Sequence, residues 1–338
     1  MKKHLVFLLC ALLCAGLLTG CWQAEPPEAE SPELLQPSDT PVENRGQSLL
    51  PEQLALPYAP DRSLDPVACP DGMQQVVASL LCEGLFRLGP DFEPQPWLCA
   101  SYTANADFTS YTFVLREGVT FSDGSPLTAA DVRATLDRAR TSDRYRARLS
   151  GITAVSAGEG AVTVTLSSPN SGLPALLDIP ILKSGTEAAP VGTGPYLLSQ
   201  TESGAWLVAN QAWWRGTRQP TDRIALVEAA DQDTMLYRFT SLDVQLITAD
   251  LTGASPISVT GNVSYQDTDT TVFQYIGCNT ARQPLDDPAF RRALSIAANR
   301  SRIVSAFLSG HGDATQFPLS PASPLYPTEL ERSYSRAD

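Results

Sequence analysis

One short apolar run governs where this chain has to fold. Residues Leu5 to Leu18 are almost purely apolar, and Lys2 and Lys3 stand in front of them. The run is shorter than the ~20 apolar residues needed to cross a bilayer. Positive charge, apolar stretch and small residues, in that order, read as an export signal over residues 1–20. No second apolar run of membrane length follows. The mature body is therefore expected to fold outside the cytoplasm. It is long enough to bury a sizeable core and to divide into about two lobes.

The residues around the cut add an anchor. Leu18-Thr19-Gly20-Cys21 resembles the bacterial lipobox, whose cysteine is acylated and becomes the new N-terminus. Cys21 is thus the expected lipid-attachment residue, and two or more acyl chains suffice for stable anchoring. From Trp22 to Leu50 the chain is rich in Glu, Pro, Ser and Gln, too polar to offset the entropy of ordering. Residues 21–53 are read as anchor and flexible tether, spanning roughly 30 Å.

Charge and chemistry then exclude several functions. A formal net charge of −13 argues against nucleic acid or an anionic bilayer as a partner. Of seven cysteines, Cys10 and Cys14 belong to the signal and Cys21 to the anchor; Cys69, Cys82, Cys99 and Cys278 remain. Export permits disulfides, and four cysteines allow three pairings among which sequence does not choose. The absence of any C-x-x-C pair argues against zinc. His4 leaves with the signal, and His311 between Gly310 and Gly312 reads as a solvated turn residue. Asp286 and Asp287 read as a solvated neighbour and a helix cap. No G-x-S-x-G, H-E-x-x-H or P-loop occurs. The chain is expected to be no enzyme, with no cofactor and no metal.

Periodicity outlines a mixed α/β body beginning near Leu54. Ser63 to Pro66 reads as the end of a strand and a turn. Asp71 with Gln74 opens a helix, in the manner of a capping box. Its buried face is Met73, Val76, Val77, Leu80, Leu81 and Leu85. Tyr111–Arg116 is β-rich, and a turn at Asp123–Pro126 leads to a helix capped by Thr128 and Asp131. Further strands are expected at Ala161–Leu166, Tyr196–Leu198, 205–209, 224–228, 243–248 and 272–277. Asp287 caps a helix starting at Pro288, and Asn299 caps another that ends at Gly310.

Five of these blocks, in order, resemble the extracellular solute-binding proteins of family 5, the oligopeptide, dipeptide and nickel receptors of ABC importers. The longest runs from Tyr111 to Val132, YTFVLREGVTFSDGSPLTAADV. The others are Glu83-Gly84-Leu85, VGTGPY at 191–196, NQAWWRG at 210–216 and NTARQPLDDPAFRRAL at 279–294. Asn299 departs from the family's usual Asp but caps a helix about as well. The resemblance implies a periplasmic-binding-protein-like α/β fold of type II, a Venus flytrap with mixed sheets. It implies a peptide-like or other small solute in a cleft between lobes, hinge closure, and delivery by a monomer to ABC permease subunits with a cytoplasmic ATPase. Residues 54–278 would be the first lobe, with an inserted subdomain at about 75–190. Residues 279–338 would begin a second lobe that is largely missing, Tyr334 to Asp338 being the start of a further helix. On that expectation residues ~279–338 pack poorly and the chain alone does not trap its solute. Candidate solute contacts are Pro70, Asp71 and Gly72 in the loop before the first helix, and Gln274 and Tyr275 on a crossover strand. Trp213 and Trp214 are expected to be core. The competing readings are a surface sensor, a decayed receptor fragment, and a receptor for a non-peptide solute such as a nickel chelate.

Overall fold

The computed structural model describes residues 54–249, 259 and 263–331. The signal, Cys21, the tether and Tyr334–Asp338 lie outside the described residues. Two four-stranded sheets, each covered by one helix, hold the interior.

The first sheet runs in the order β1 (Leu54–Tyr58), β10 (Arg223–Glu228), β9 (Gly204–Ala209), β8 (Tyr196–Thr201). β1 lies parallel to β10, Leu54 opposite Ile224, so a long excursion separates them in sequence. β8, β9 and β10 form an antiparallel meander. Helix α1 (Gly72–Leu81) covers this sheet with Val77 and Leu81, which share one core cluster with Leu56, Tyr196, Leu207 and Ile224. Asp71 caps α1 by accepting from the amides of Met73 (2.9 Å) and Gln74 (3.2 Å). Gln74 does not close the capping box. Its buried amide instead exchanges hydrogen bonds with the Ala59 backbone (3.0 and 2.8 Å) and donates to the Arg62 carbonyl, tying the chain after β1 to the helix.

The second sheet, entirely antiparallel, has the order β4 (Cys99–Ala104), β5 (Ser110–Leu115), β7 (Ala161–Leu166), β6 (Ile152–Ala157). Alternation in β5 and β7 buries Tyr111, Phe113, Val162 and Val164 on one face. Helix α2 (Ala129–Ala139) lays Val132, Leu136 and Ala139 on that face. Its capping box is complete, Thr128 and Asp131 bonding each other's backbone amides. A short hairpin of β2 (Phe86–Leu88) and β3 (Pro94–Pro96) precedes the sheet.

Several expectations change. α1 ends at Leu81; Leu85 is buried, but in the following loop. The first strand ends at Tyr58, and Ser63–Pro66 is a loop in which Asp65 accepts from the Val67 amide and pairs with Arg138. Neither 243–248 nor 272–277 is a strand. Apolar alternation is not enough there, because a strand also needs a partner ladder; Gln245 reaches β1 only at Ala55, its amide donating to the Ala55 carbonyl and its side-chain oxygen, not its backbone carbonyl, accepting from the Ala55 amide. Helix α3 (Gln232–Thr240), capped by Asp231, was not anticipated. Cys69, Cys82, Cys99 and Cys278 are all free thiols.

Beyond 278 the chain forms α4 (Pro288–Ala297), α5 (Arg300–Phe307) and the short α6 (Thr328–Glu331). Local caps suffice to start the first two, from Asp287 to the Ala289 amide and from Asn299 to the Arg302 amide. Neither helix buries a residue: Phe290, Leu294, Ile303 and Phe307 are exposed.

Candidate functional site

The loop entering α1 is built by backbone carbonyls and one ion pair. The Cys69 amide donates to the Asp65 carbonyl (2.8 Å). The Cys69 carbonyl then accepts from Gln75 Nε2 (3.0 Å) and from Arg144 Nη1 (3.4 Å). Asp71 is doubly engaged, capping α1 and pairing with Arg62, which also bonds the Ala230 carbonyl beyond β10. That bond to Asp71 raises the Arg62 pKa and keeps the guanidinium charged. Pro70 and Gly72 are exposed, and nothing lies within 4 Å of where a Gly72 side chain would start. The exposed backbone at Gly72 is thus the part of this loop open to a ligand.

Beside it lies a small, mostly apolar groove lined by Leu56, Pro57, Met73, Val76, Leu246, Ile247 and Thr248. Gln274 and Tyr275 do not line it. They lie on exposed, non-ladder chain, where Tyr275 stacks on Phe273 with ring centroids 5.8 Å apart. The two sequence-derived candidate segments are therefore not joined in a single pocket lining.

The other end of α1 carries an arrangement the sequence reading missed. Glu83, only 7% exposed, sits in the loop just past the helix. Its Oε1 accepts from the indole N–H of Trp97 (2.8 Å) and of Trp213 (3.1 Å). Its Oε2 accepts from the indole of Trp214 (2.8 Å) and the Thr193 hydroxyl (2.8 Å). Trp213 and Trp214 are half-buried; Trp214 packs against the core of the second sheet, and both indoles also donate to this one carboxylate. Gly192 and Gly194 allow the close approach of this turn. A side-chain carbon at Gly192 would sit 2.1 Å from the Leu81 carbonyl, and one at Gly194 2.6 Å from the Leu80 carbonyl. The stretches 83–85, 191–196 and 210–216 are thus parts of one knot that fixes the C-terminal end of α1. The signal was present in the sequence as glycines, tryptophans and one acid at separate places, but only contact assembles them.

His311 is not a free turn residue: its Nδ1 lies 2.9 Å from both carboxylate oxygens of Asp267. Among the described residues no group of three or more His, Cys, Asp or Glu side chains is placed to hold a metal ion. What the geometry offers is exposed backbone, an apolar groove and fixed charge, which is binding chemistry.

Residues 93–338 match the signature of the bacterial extracellular solute-binding proteins, family 5 Middle, and the chain belongs to that family. It is similar to the glutathione-binding protein GsiB of Escherichia coli K12, 28% identical over 291 residues, 81% of this chain and 56% of the relative. GsiB of Salmonella typhi is 27% identical over the same coverage. The chain spans a little over half the length of these relatives. Among solved structures, the nickel ABC transporter protein from Bacillus halodurans aligns with a TM-score of 0.57 at 22% identity, over 83% of this chain and 62% of that one. NikZ from Campylobacter jejuni, solved with Ni(L-His), gives 0.55 at 21% identity, over 80% and 59%. The fold is therefore the mixed α/β, periplasmic-binding-protein-like one that the sequence blocks implied.

Proposed function

We propose that this chain serves an ABC importer as its substrate-binding component, capturing a peptide-like solute and presenting it to a membrane permease driven by a cytoplasmic ATPase. The observation that carries this is the family 5 signature over residues 93–338, joined to relatives named for binding glutathione, itself a small peptide. In this reading residues 54–278 are the first lobe and 279–338 open the second. Pro70 to Gly72, and Gln274 with Tyr275, face the solute from the first lobe and the crossover. The exposed Gly72 backbone suits a peptide's main chain, and Met73 and Val76 give the surface beside it an apolar character. The chain performs no catalysis. Cys21 holds it by lipid to the outer face of the cell membrane, the acidic tether lifting the body clear.

Uptake of labelled glutathione, a dipeptide and a nickel–histidine chelate by cells with and without the gene tests the reading. Peptide uptake should fall on deletion and return with the wild-type gene. Unchanged peptide uptake would refute it, and loss of nickel uptake alone would replace the peptide with a metal chelate. Cys21→Ala should leave the protein unprocessed or released; a processed form still sedimenting with membranes would remove the anchor.

A further inference from the structure

The knot around Glu83 has an outer surface. With all three indole N–H groups turned inward to the carboxylate, the ring faces of Trp97, Trp213 and Trp214 are left for other partners. Three arginines take them. Arg215 lies 4.5 Å from the Trp97 ring centre and within 6.0 Å of the other two. Arg116 lies 4.9 Å over Trp214, and Arg87 5.6 Å from Trp97. Stacking on an indole face holds a guanidinium plane while leaving its N–H edge available, because the cation is bound through the ring quadrupole rather than through hydrogen bonds. Arg116 spends its Nε on the Trp97 carbonyl (2.9 Å). None of the three forms an ion pair with a carboxylate among the described residues, whereas Arg62, Arg138, Arg140, Arg148, Arg218 and Arg238 all do.

We propose that Arg87, Arg116 and Arg215, held on the Trp97–Trp213–Trp214 faces, form a docking ledge for an acidic segment of a protein partner. Fixed guanidinium forks suit carboxylates, which they bind in bidentate fashion. The ledge is not the solute loop: α1 separates the two by about 15 Å of helix. An anionic bilayer is the weaker occupant. Three arginines near a membrane surface contribute about 1 kcal/mol each, against a chain whose net charge of −13 is repelled by it. A ledge of opposite sign on so acidic a body also orients encounter, since local complementarity steers association even when net charge opposes it.

The test uses the full chain and intrinsic tryptophan fluorescence, because ligand at the ledge must disturb the very rings that report. Titration with a hexaglutamate peptide should change the emission in a saturable manner that weakens as salt rises. The double reversal Arg87→Glu with Arg215→Glu should weaken binding by at least about tenfold. A matched reversal away from the ledge, Arg133→Glu with Arg146→Glu, should leave it within about twofold. Arg87→Gln with Arg215→Gln, whose melting is checked against wild type, guards against loss by misfolding and should also bind weakly. Equal loss from both reversals, or no saturable change, would overturn the proposal. So would stronger binding of phosphatidylglycerol vesicles or inorganic phosphate than of the peptide.

Discussion

Replacing Glu83 by Gln keeps the shape of the knot and removes one acceptor, so its cost can be worked from the four hydrogen bonds. The carboxylate offers two acceptor oxygens, each receiving two donors. A glutamine must place an N–H₂ group where one of those oxygens was. Facing Trp97 and Trp213, it would strand two indole N–H groups. Facing Trp214 and Thr193, it strands only one, since the Thr193 hydroxyl can rotate to accept. The second orientation is therefore preferred. A buried donor without a partner costs about 1–3 kcal/mol, and the surviving bonds lose the strengthening of a charged acceptor, worth roughly 1 kcal/mol or more in total. Water reaching the half-buried rims of the indoles returns part of this, leaving about 3 kcal/mol. Glu83→Leu strands all three indoles and should cost about 5 kcal/mol, a large share of a typical domain's stability. Urea unfolding followed by tryptophan emission and far-ultraviolet circular dichroism measures both. A Gln variant within about 0.5 kcal/mol of wild type, or a Leu variant more stable than the Gln one, would show that the indoles find acceptors elsewhere and that the carboxylate does not hold the knot.

Gly192→Ala should prevent the turn from closing, because its new carbon would overlap the Leu81 carbonyl at 2.1 Å and Cys82 Sγ at 2.6 Å; soluble yield and circular dichroism should collapse, while Gly118→Ala, in open space, is limited to the strain of its positive φ. Thr128→Ala removes one half of the α2 capping box and should lower stability by about 1 kcal/mol in a urea melt. Burial pushes the Cys82 thiol up strongly and the Cys99 thiol from 9.0 to about 11. Both stay protonated in the folded protein at pH 8, so iodoacetamide should label neither until denaturant is added, while half-exposed Cys278 reacts. Because these folded pKa values are raised, the associated stability is present below pH ~9 and is lost as pH rises from there towards 11, with a slope of up to about 1.4 kcal/mol per pH unit for each thiol. A urea midpoint that is flat across pH 8 to 10.5 would contradict the burial.

The starts of four of the five longer helices, after Asp71, Thr128, Asp287 and Asn299, were legible because a cap is a transaction between residues two or three apart; the fifth, after Asp231, was missed although its cap is of the same kind. The strands at 110–115, 161–166 and 204–209 were legible because alternation marks a face that must be buried. The same alternation misled at 243–248 and 272–277, since it records a face and not a partner. Of the candidate solute loop, sequence supplied Pro70, Asp71 and Gly72; the tertiary fold decided that Asp71 is already engaged by Arg62 and that Arg144, 75 positions from Cys69, closes on the loop's carbonyl. The family blocks around Glu83, Gly192 and Trp213 were visible as words without a meaning. Only folding brings an acid at 83 against donors at 97, 193, 213 and 214, because a buried carboxylate must collect its hydrogen bonds from whatever chain passes within 3 Å, however distant in sequence.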